Sequence, residues 1–265
     1  MCRFVAYLAK DPILLADLIE KPENSLIKQS RHARGTKTGL NADGVGVGWY
    51  DRNIDHLPAT FKSILPAWND ENLKHLVTKV RSSCFVGHVR ASTVGDVTLH
   101  NCHPFTYQQW LFAHNGTVRG FDKIKLKVIS LLDEEIFKNI RGQTDSEYVL
   151  ALIVNELKKF KIVTLEYMLK ATRQAIHQLN ELQQLFNNNQ IMKLNSVLTD
   201  GEQLIATRYV SDQNSEPLSL YYVVDAGGIT VASEPLTDYH THWRELPLNH
   251  FLTADKDLTV KIEKI

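Results

Sequence analysis

The chain has 265 residues, and its 30 basic and 30 acidic side chains cancel to a formal net charge of zero. That balance argues against a surface that coats nucleic acid or a polybasic membrane patch. A hydrophobic share of 43% suits a globular protein with a full core, and no apolar run approaches the roughly 20 residues of a membrane span.

Residues 3–8 carry β-prone types and predict a first strand. Asp11-Pro12 predicts a helix start, an N-cap followed by proline, because Leu14, Leu15, Leu18 and Ile19 then repeat at helical spacing. A short helix is expected through Leu26 and Ile27. Gly44-Val45-Gly46-Val47-Gly48-Trp49-Tyr50 predicts a strand with glycine at every second position, so one face is bare and another backbone or a ligand can approach closely. It lacks the Lys-Ser/Thr ending of a phosphate loop. A helix is expected from Asn72 to Val80, then strands at Cys84–Arg90 and Trp110–His114, then helices over Asp145–Phe160 and Thr164–Leu185. In the last of these, Leu165, Met168, Leu169, Ile176, Leu179, Leu182 and Leu185 follow three- and four-residue steps, with Thr172 filling the gap. This is a core stripe rather than a cofactor box. The remainder reads as strands at Leu194–Leu198, Gln203–Tyr209, Leu218–Val224, Ile229–Ser233, Phe251–Leu252 and Leu258–Ile262. Strands, then helices, then strands suggest a layered α+β domain with stacked sheets.

The residues with chemical potential begin at Cys2. If Met1 is removed, the chain starts with a thiol and a free α-amine on one residue. An amine titrating near ~8 can accept the proton of a thiol titrating near ~8.5, which supplies nucleophile and base together. Position alone favours a small buried hydrophobe opening a strand. Further along, a strand delivers Arg90 into the loop Ala91-Ser92-Thr93-Val94-Gly95, and its guanidinium fork matches a carboxylate with two parallel hydrogen bonds. Phe112-Ala113-His114-Asn115-Gly116 is an apolar strand expected to end in an amide side chain and a glycine N–H, two donors that suit a developing oxyanion. Gly142-Gln143-Thr144-Asp145-Ser146-Glu147 opens a helix. There Thr144 or Asp145 is either the N-cap or, for Asp145, the partner of a substrate ammonium.

Taken in order, Cys2 behind Met1, Asn41-Ala42-Asp43-Gly44-Val45-Gly46, Arg90 to Gly95, His100-Asn101-Cys102-His103-Pro104-Phe105, His114-Asn115-Gly116, Thr144 to Glu147 and Val231-Ala232-Ser233-Glu234-Pro235-Leu236 resemble a class II glutamine amidotransferase domain of the N-terminal-nucleophile hydrolase superfamily. The resemblance implies a four-layer αββα sandwich of two stacked antiparallel sheets flanked by helices. It also implies attack by Cys2 on a γ-glutamyl amide, with the Cys2 amine as base, and an oxyanion hole from Asn115 and the Gly116 N–H. Arg90 would hold the α-carboxylate with Thr93 nearby, and Asp145 the α-ammonium, helped by the Gly116 backbone. No cofactor or metal is implied. Sugar-phosphate members carry Trp and His where this chain has Ala91 and Val94, which points away from aminosugar synthases.

His88 lies two residues before Arg90, on the same strand face. It either lines the substrate site or is a hydrogen-bonded structural histidine. His103 reads as structural, and His100, His103 and His114 sit on separate loops without metal-type spacing. Ser92 has no G-x-S-x-G elbow around it. Cys84 and Cys102 read as buried thiols, and three cysteines without paired spacing point to a reducing cytoplasm. The N-terminus shows no secretory pattern. Only residues 237–265 follow the last motif, too few for a second domain of about 100 residues. A single domain over 1–265 is therefore expected. It would be either a stand-alone hydrolase of γ-glutamyl compounds or a glutaminase subunit passing ammonia to a synthase, with a synthase or peptidase as a possible protein partner.

Overall fold

The computed structural model describes residues 2–34, 40–92, 95–186, 190–225, 227–237 and 242–265. Strand β1 (Arg3–Leu14) runs on through Asp11-Pro12, where a helix start was expected. Its register against a neighbouring strand shifts between Leu8 and Ile13, and Ile13 and Leu14 pair again beyond the shift. Proline is tolerated in that irregularity because no ladder donor is needed there. Only one turn of helix follows, α1 (Ala16–Ile19), and then α2 (Leu26–Arg31), whose cap Ser25 accepts the Lys28 N–H.

Next come β2 (Val45–Tyr50), β3 (Pro58–Ser63), α3 (Glu71–Val77) and β4 (Arg81–Val89). The bare face of β2 is used for close approach. A Cβ on Gly46 would sit 2.1 Å from the His103 carbonyl oxygen, and one on Gly48 would sit 2.5 Å from Leu111. After β5 (Phe105–Tyr107), β6 spans Trp110–Val118 and so continues four residues past its expected end at His114. Helices α4 (Phe121–Leu131) and α5 (Glu134–Asn139) escaped the sequence reading. In α4 the apolar residues Ile124, Leu126 and Val128 alternate as in a strand, yet Phe121, Ile124 and Val128 are buried at helical spacing while Leu126 is exposed.

Helix α6 (Asp145–Leu157) is capped by Thr144, and α7 (Leu165–Leu185) by Thr164. The α7 stripe is core as expected, except that Leu185 at its end is exposed. Strands β7 (Met192–Thr199), β8 (Leu204–Val210), β9 (Tyr221–Val224), β10 (Gly228–Ala232), β11 (Arg244–Glu245), β12 (His250–Ala254) and β13 (Val260–Lys264) complete the chain.

All strand pairs are antiparallel, in a seven-stranded sheet ordered β11-β9-β10-β1-β4-β2-β3 and a six-stranded sheet ordered β13-β12-β8-β7-β6-β5. Three apolar clusters fill the spaces between layers. One lies between the sheets, around Phe4, Val86, Leu111, Val197 and Leu252. A second joins the seven-stranded sheet to α1–α3 through Val5, Tyr7, Leu15, Ile19, Leu26 and Leu73. A third joins the six-stranded sheet to α4–α7. The period of two along β1 sends Phe4, Ala6 and Leu8 to the first cluster and Val5 and Tyr7 to the second. This is the αββα sandwich. Among the described residues, no helix is long and apolar enough to cross a membrane.

Candidate active site

Cys2 stands immediately before β1, half-buried, while Cys84 and Cys102 are fully enclosed. Its Sγ lies 3.3 Å from the Ala91 N–H and 3.4 Å from the Ala91 carbonyl. The antiparallel register of β1 with β4, Arg3 opposite Val89, brings the start of one strand to the end of the other. Nucleophile candidate and Arg90 are thus adjacent because of strand pairing, across 88 residues of sequence. Burial pushes the Cys2 thiol up, opposed by the Ala91 N–H and the Arg90 charge. A thiol in that state needs a base to react at neutral pH.

Arg90 is buried and braces the loop that follows it. Its Nη1 donates to the Asp96 carbonyl at 3.0 Å, and its Nη2 to Ser92 Oγ at 3.1 Å and the Gly95 carbonyl at 3.2 Å. The Asp43 carboxylate accepts the Ser92 N–H at 2.7 Å, so the Asn41–Gly46 motif holds the other side of the loop. Thr93 lies outside the described residues, as does Met1. Two supports were missed by the sequence reading although both sit inside quoted motifs. Asn101, buried, donates to the Asp96 carbonyl and accepts the Gln143 N–H, and Gln143 Oε1 accepts the Asp96 N–H. Those bonds tie the Arg90 loop to the approach of α6.

Asp145, the first residue of α6, is buried. Its Oδ2 accepts the Val118 N–H at 2.6 Å and its Oδ1 accepts the Ser146 N–H at 2.9 Å. Among the described residues no cation pairs with it. A buried carboxylate held only by neutral donors is suited to receive a ligand ammonium. Thr144, not Asp145, is the helix cap. Asn115 and Gly116 lie inside β6, with Asn115 opposite Asn195 and Gly116 opposite Leu194. Asn115 is buried, and its Oδ1 has no hydrogen-bond partner among the described residues. Gly116 must be glycine for space, since a Cβ would fall 2.0 Å from the Lys193 carbonyl oxygen. A cleft of about 660 Å³ opens beside Gly116, lined further by Val118, Phe121, Lys125, Gln143 and Lys193. That is within the size range of small-molecule sites.

A family model for class II glutamine amidotransferases matches residues 14–265. The chain belongs to the class II glutamine amidotransferases. It is 34% identical to a probable glutamine amidotransferase, DUG3, of Saccharomyces cerevisiae, over 97% of this chain and 82% of that one. It is 30% identical to the γ-glutamyl-hercynylcysteine sulfoxide hydrolase of Mycolicibacterium smegmatis, over 95% of each chain. Among solved structures, a glutamine aminotransferase class-II domain protein from Silicibacter pomeroyi superposes with a TM-score of 0.73 at 28% identity, covering 100% of this chain and 99% of that one. The sandwich is that of the N-terminal-nucleophile amidotransferases, and the protein is an enzyme of that family. The family match begins after Cys2, so Cys2 rests on the geometry above.

Beneath the site this amidotransferase buries three histidines. His114 Nδ1 meets Ser146 Oγ at 2.9 Å and its Nε2 meets the Lys193 carbonyl at 3.1 Å, which fixes β6 against α6 and β7. His88 is fully enclosed and stacks on His103 with ring centroids 4.1 Å apart. Among the described residues no ring nitrogen of His103 is hydrogen-bonded, and His88 faces the His114 backbone without reaching good hydrogen-bond geometry. His88 is therefore enclosed against His103 rather than open to a substrate. Burial pushes His88 down to about 3 and holds His103 well below the usual histidine range. Both would titrate near ~6.5 when unfolded. Below that pH the unfolded chain binds protons that the folded chain does not. Stability is therefore complete above pH ~6.5 and is lost as pH falls, by about 1.4 kcal/mol per pH unit for each histidine that stays neutral. Urea unfolding at about pH 7, 6 and 5 should show this decline, with a shallower slope for His88→Leu. An unchanged slope would mean that His88 takes up a proton in the folded state.

Proposed function

We propose that this enzyme hydrolyses the γ-glutamyl amide bond of glutamine or a γ-glutamyl compound through a thioester on Cys2. The observation that carries the reading is the contact of Cys2 Sγ with Ala91, one residue beyond Arg90. A thiol and a carboxylate-binding fork held that close can address the two ends of one glutamyl group. Arg90, with Thr93 in the same loop, takes the α-carboxylate. Asp145 takes the α-ammonium, with the Gly116 backbone beside it. The Cys2 α-amine, free once Met1 is removed, accepts the thiol proton, and the thiolate attacks the γ-carbonyl. Asn115 and the Gly116 N–H receive the oxyanion. The protonated α-amine then gives its proton to the departing amine, and water hydrolyses the γ-glutamyl thioester to glutamate and free thiol.

The likeness to a γ-glutamyl-hercynylcysteine sulfoxide hydrolase over 95% of each chain favours a stand-alone hydrolase of γ-glutamyl compounds over a glutaminase subunit serving a synthase. Three free cysteines with no disulfide suit a reducing compartment, and on that ground we assign the enzyme to the cytoplasm. Incubating the purified protein with a panel of γ-glutamyl amides and peptides, read by mass spectrometry, tests the reading. Glutamate release from substituted amides at higher kcat/KM than from glutamine is expected. Turnover of glutamine alone would favour the ammonia-supplying role, and turnover of neither would overturn the assignment.

The clamp has its own test. Asp145→Asn keeps the bonds to Val118 and Ser146 within reach but removes the charge facing the ammonium. Arg90→Lys keeps charge but loses the fork. Each should lower kcat/KM by an amount corresponding to about 2–5 kcal/mol. Wild-type kcat/KM in either variant would move the glutamyl site elsewhere.

A further inference from the structure

Two motifs take no direct part in the proposed chemistry, Asn41 and the segment Val231–Leu236, yet both converge under Cys2. Ser233 Oγ accepts the Phe4 N–H at 3.0 Å, and the Ser233 N–H donates to the Phe4 carbonyl at 3.0 Å. The next residue, Glu234, meets Arg3, with Nε 2.8 Å from Oε1 and the two side chains 3% and 6% exposed. The same guanidinium donates through Nη1 to the Cys2 carbonyl at 2.9 Å. Glu234 Oε2 also accepts the Arg34 N–H at 3.2 Å. Asn24 bonds the Leu236 and Pro235 carbonyls, Gln29 bonds the Asn24 carbonyl, and Asn41 bonds the Gln29 carbonyl. This is a buried polar frame on the side of β1 that Val5 and Tyr7 line with apolar contacts.

We propose that the Arg3–Glu234 pair is the positioning device for Cys2, holding its backbone so that thiol and α-amine point correctly; this rests on the function proposed above. A first residue has no preceding peptide bond to hold it, and chain ends fray unless tied down. Fixing the Cys2 carbonyl stops rotation about the bond from Cα to the carbonyl carbon. With the Ala91 contact at Sγ, the direction of the remaining Cα substituent, the amine, follows. Stability alone is a poor reason for the pair, because a buried ion pair is often matched or bettered by apolar residues of similar volume.

That comparison supplies the test. The double variant Arg3→Met/Glu234→Met should melt at or above the wild-type temperature. Its KM should stay within about threefold while kcat falls about 30-fold or more, as expected for a misplaced reacting group. A kcat within about threefold of wild type would overturn the proposal. Arg3→Lys covers the case in which the double variant does not fold. Its single ammonium cannot reach both Glu234 and the Cys2 carbonyl, so kcat should fall about tenfold at unchanged KM, and a wild-type kcat would overturn the positioning role. If the wild-type protein cleaves no γ-glutamyl compound, the function fails first. The pair is then read by iodoacetamide alkylation of Cys2, which Arg3→Lys should slow about threefold or more; an equal rate rejects it.

Discussion

Cys2→Ala is expected to abolish glutamate release while leaving the fold intact. The side chain is half-buried immediately before β1 and belongs to none of the three apolar clusters. Its contacts with Ala91 are long, so the variant should melt within a few degrees of the wild type. Activity has no substitute nucleophile. Cys84 is sealed between the sheets with its thiol pushed up to about 12, and Cys102 is enclosed and likewise raised by burial. A glutamine-like diazo-ketone should therefore label Cys2 alone, and peptide mapping would show it. Intact mass should show a mature chain lacking Met1, because a retained Met1 locks the base into a peptide bond. Cys2→Ser should retain a trace of activity at most, since a hydroxyl is far harder to deprotonate than a thiol with the same amine. Glutamate release at the wild-type rate from Cys2→Ala would end the nucleophile assignment.

Much of the layered fold was legible because periodicity is local. The helical stripe of α7 is set by which face buries, and short-range spacing reports that directly; β7, β8 and β10, buried on both faces, were legible instead as short β-prone runs. The failures have a common physical origin. In β1 the chain resumes pairing after Asp11-Pro12 because β4 offers partners to Ile13 and Leu14 beyond the register shift, which no local signal reveals. In β6 the strand continues past His114 because β7 lies alongside to Val118, so Asn115 and Gly116 are strand residues and not a strand end. In α4 the lysines between Ile124, Leu126 and Val128 imitate a strand. The candidate site residues could be proposed as chemical types, but their supports could not. That Asp43 braces Ser92, that Asn101 bridges Asp96 and Gln143, and that Glu234 reaches Arg3 are long-range facts created by sheet order.

Asn115→Ala should lower kcat by about 100- to 1,000-fold with little change in KM, the signature of a donor used in the transition state rather than the ground state. The structure removes the rival account in which Asn115 merely forms a turn. The residue sits mid-strand opposite Asn195 and is not among the positive-φ residues described. It is buried, and its Oδ1 has no partner among the described residues. Deleting an unsatisfied buried acceptor removes a desolvation cost, so melting temperature should hold or rise as catalysis falls. Loss of rate with retained or increased stability separates a catalytic amide from a structural one, because a structural asparagine would lose both together. Asn115→Asp should be worse than Ala for kcat, since it sets a negative charge where negative charge develops. Thermal melts and steady-state kinetics on the three proteins decide the matter. A folded Asn115→Ala enzyme with near-normal kcat would assign the oxyanion to other donors, leaving the Gly116 N–H as the first to examine.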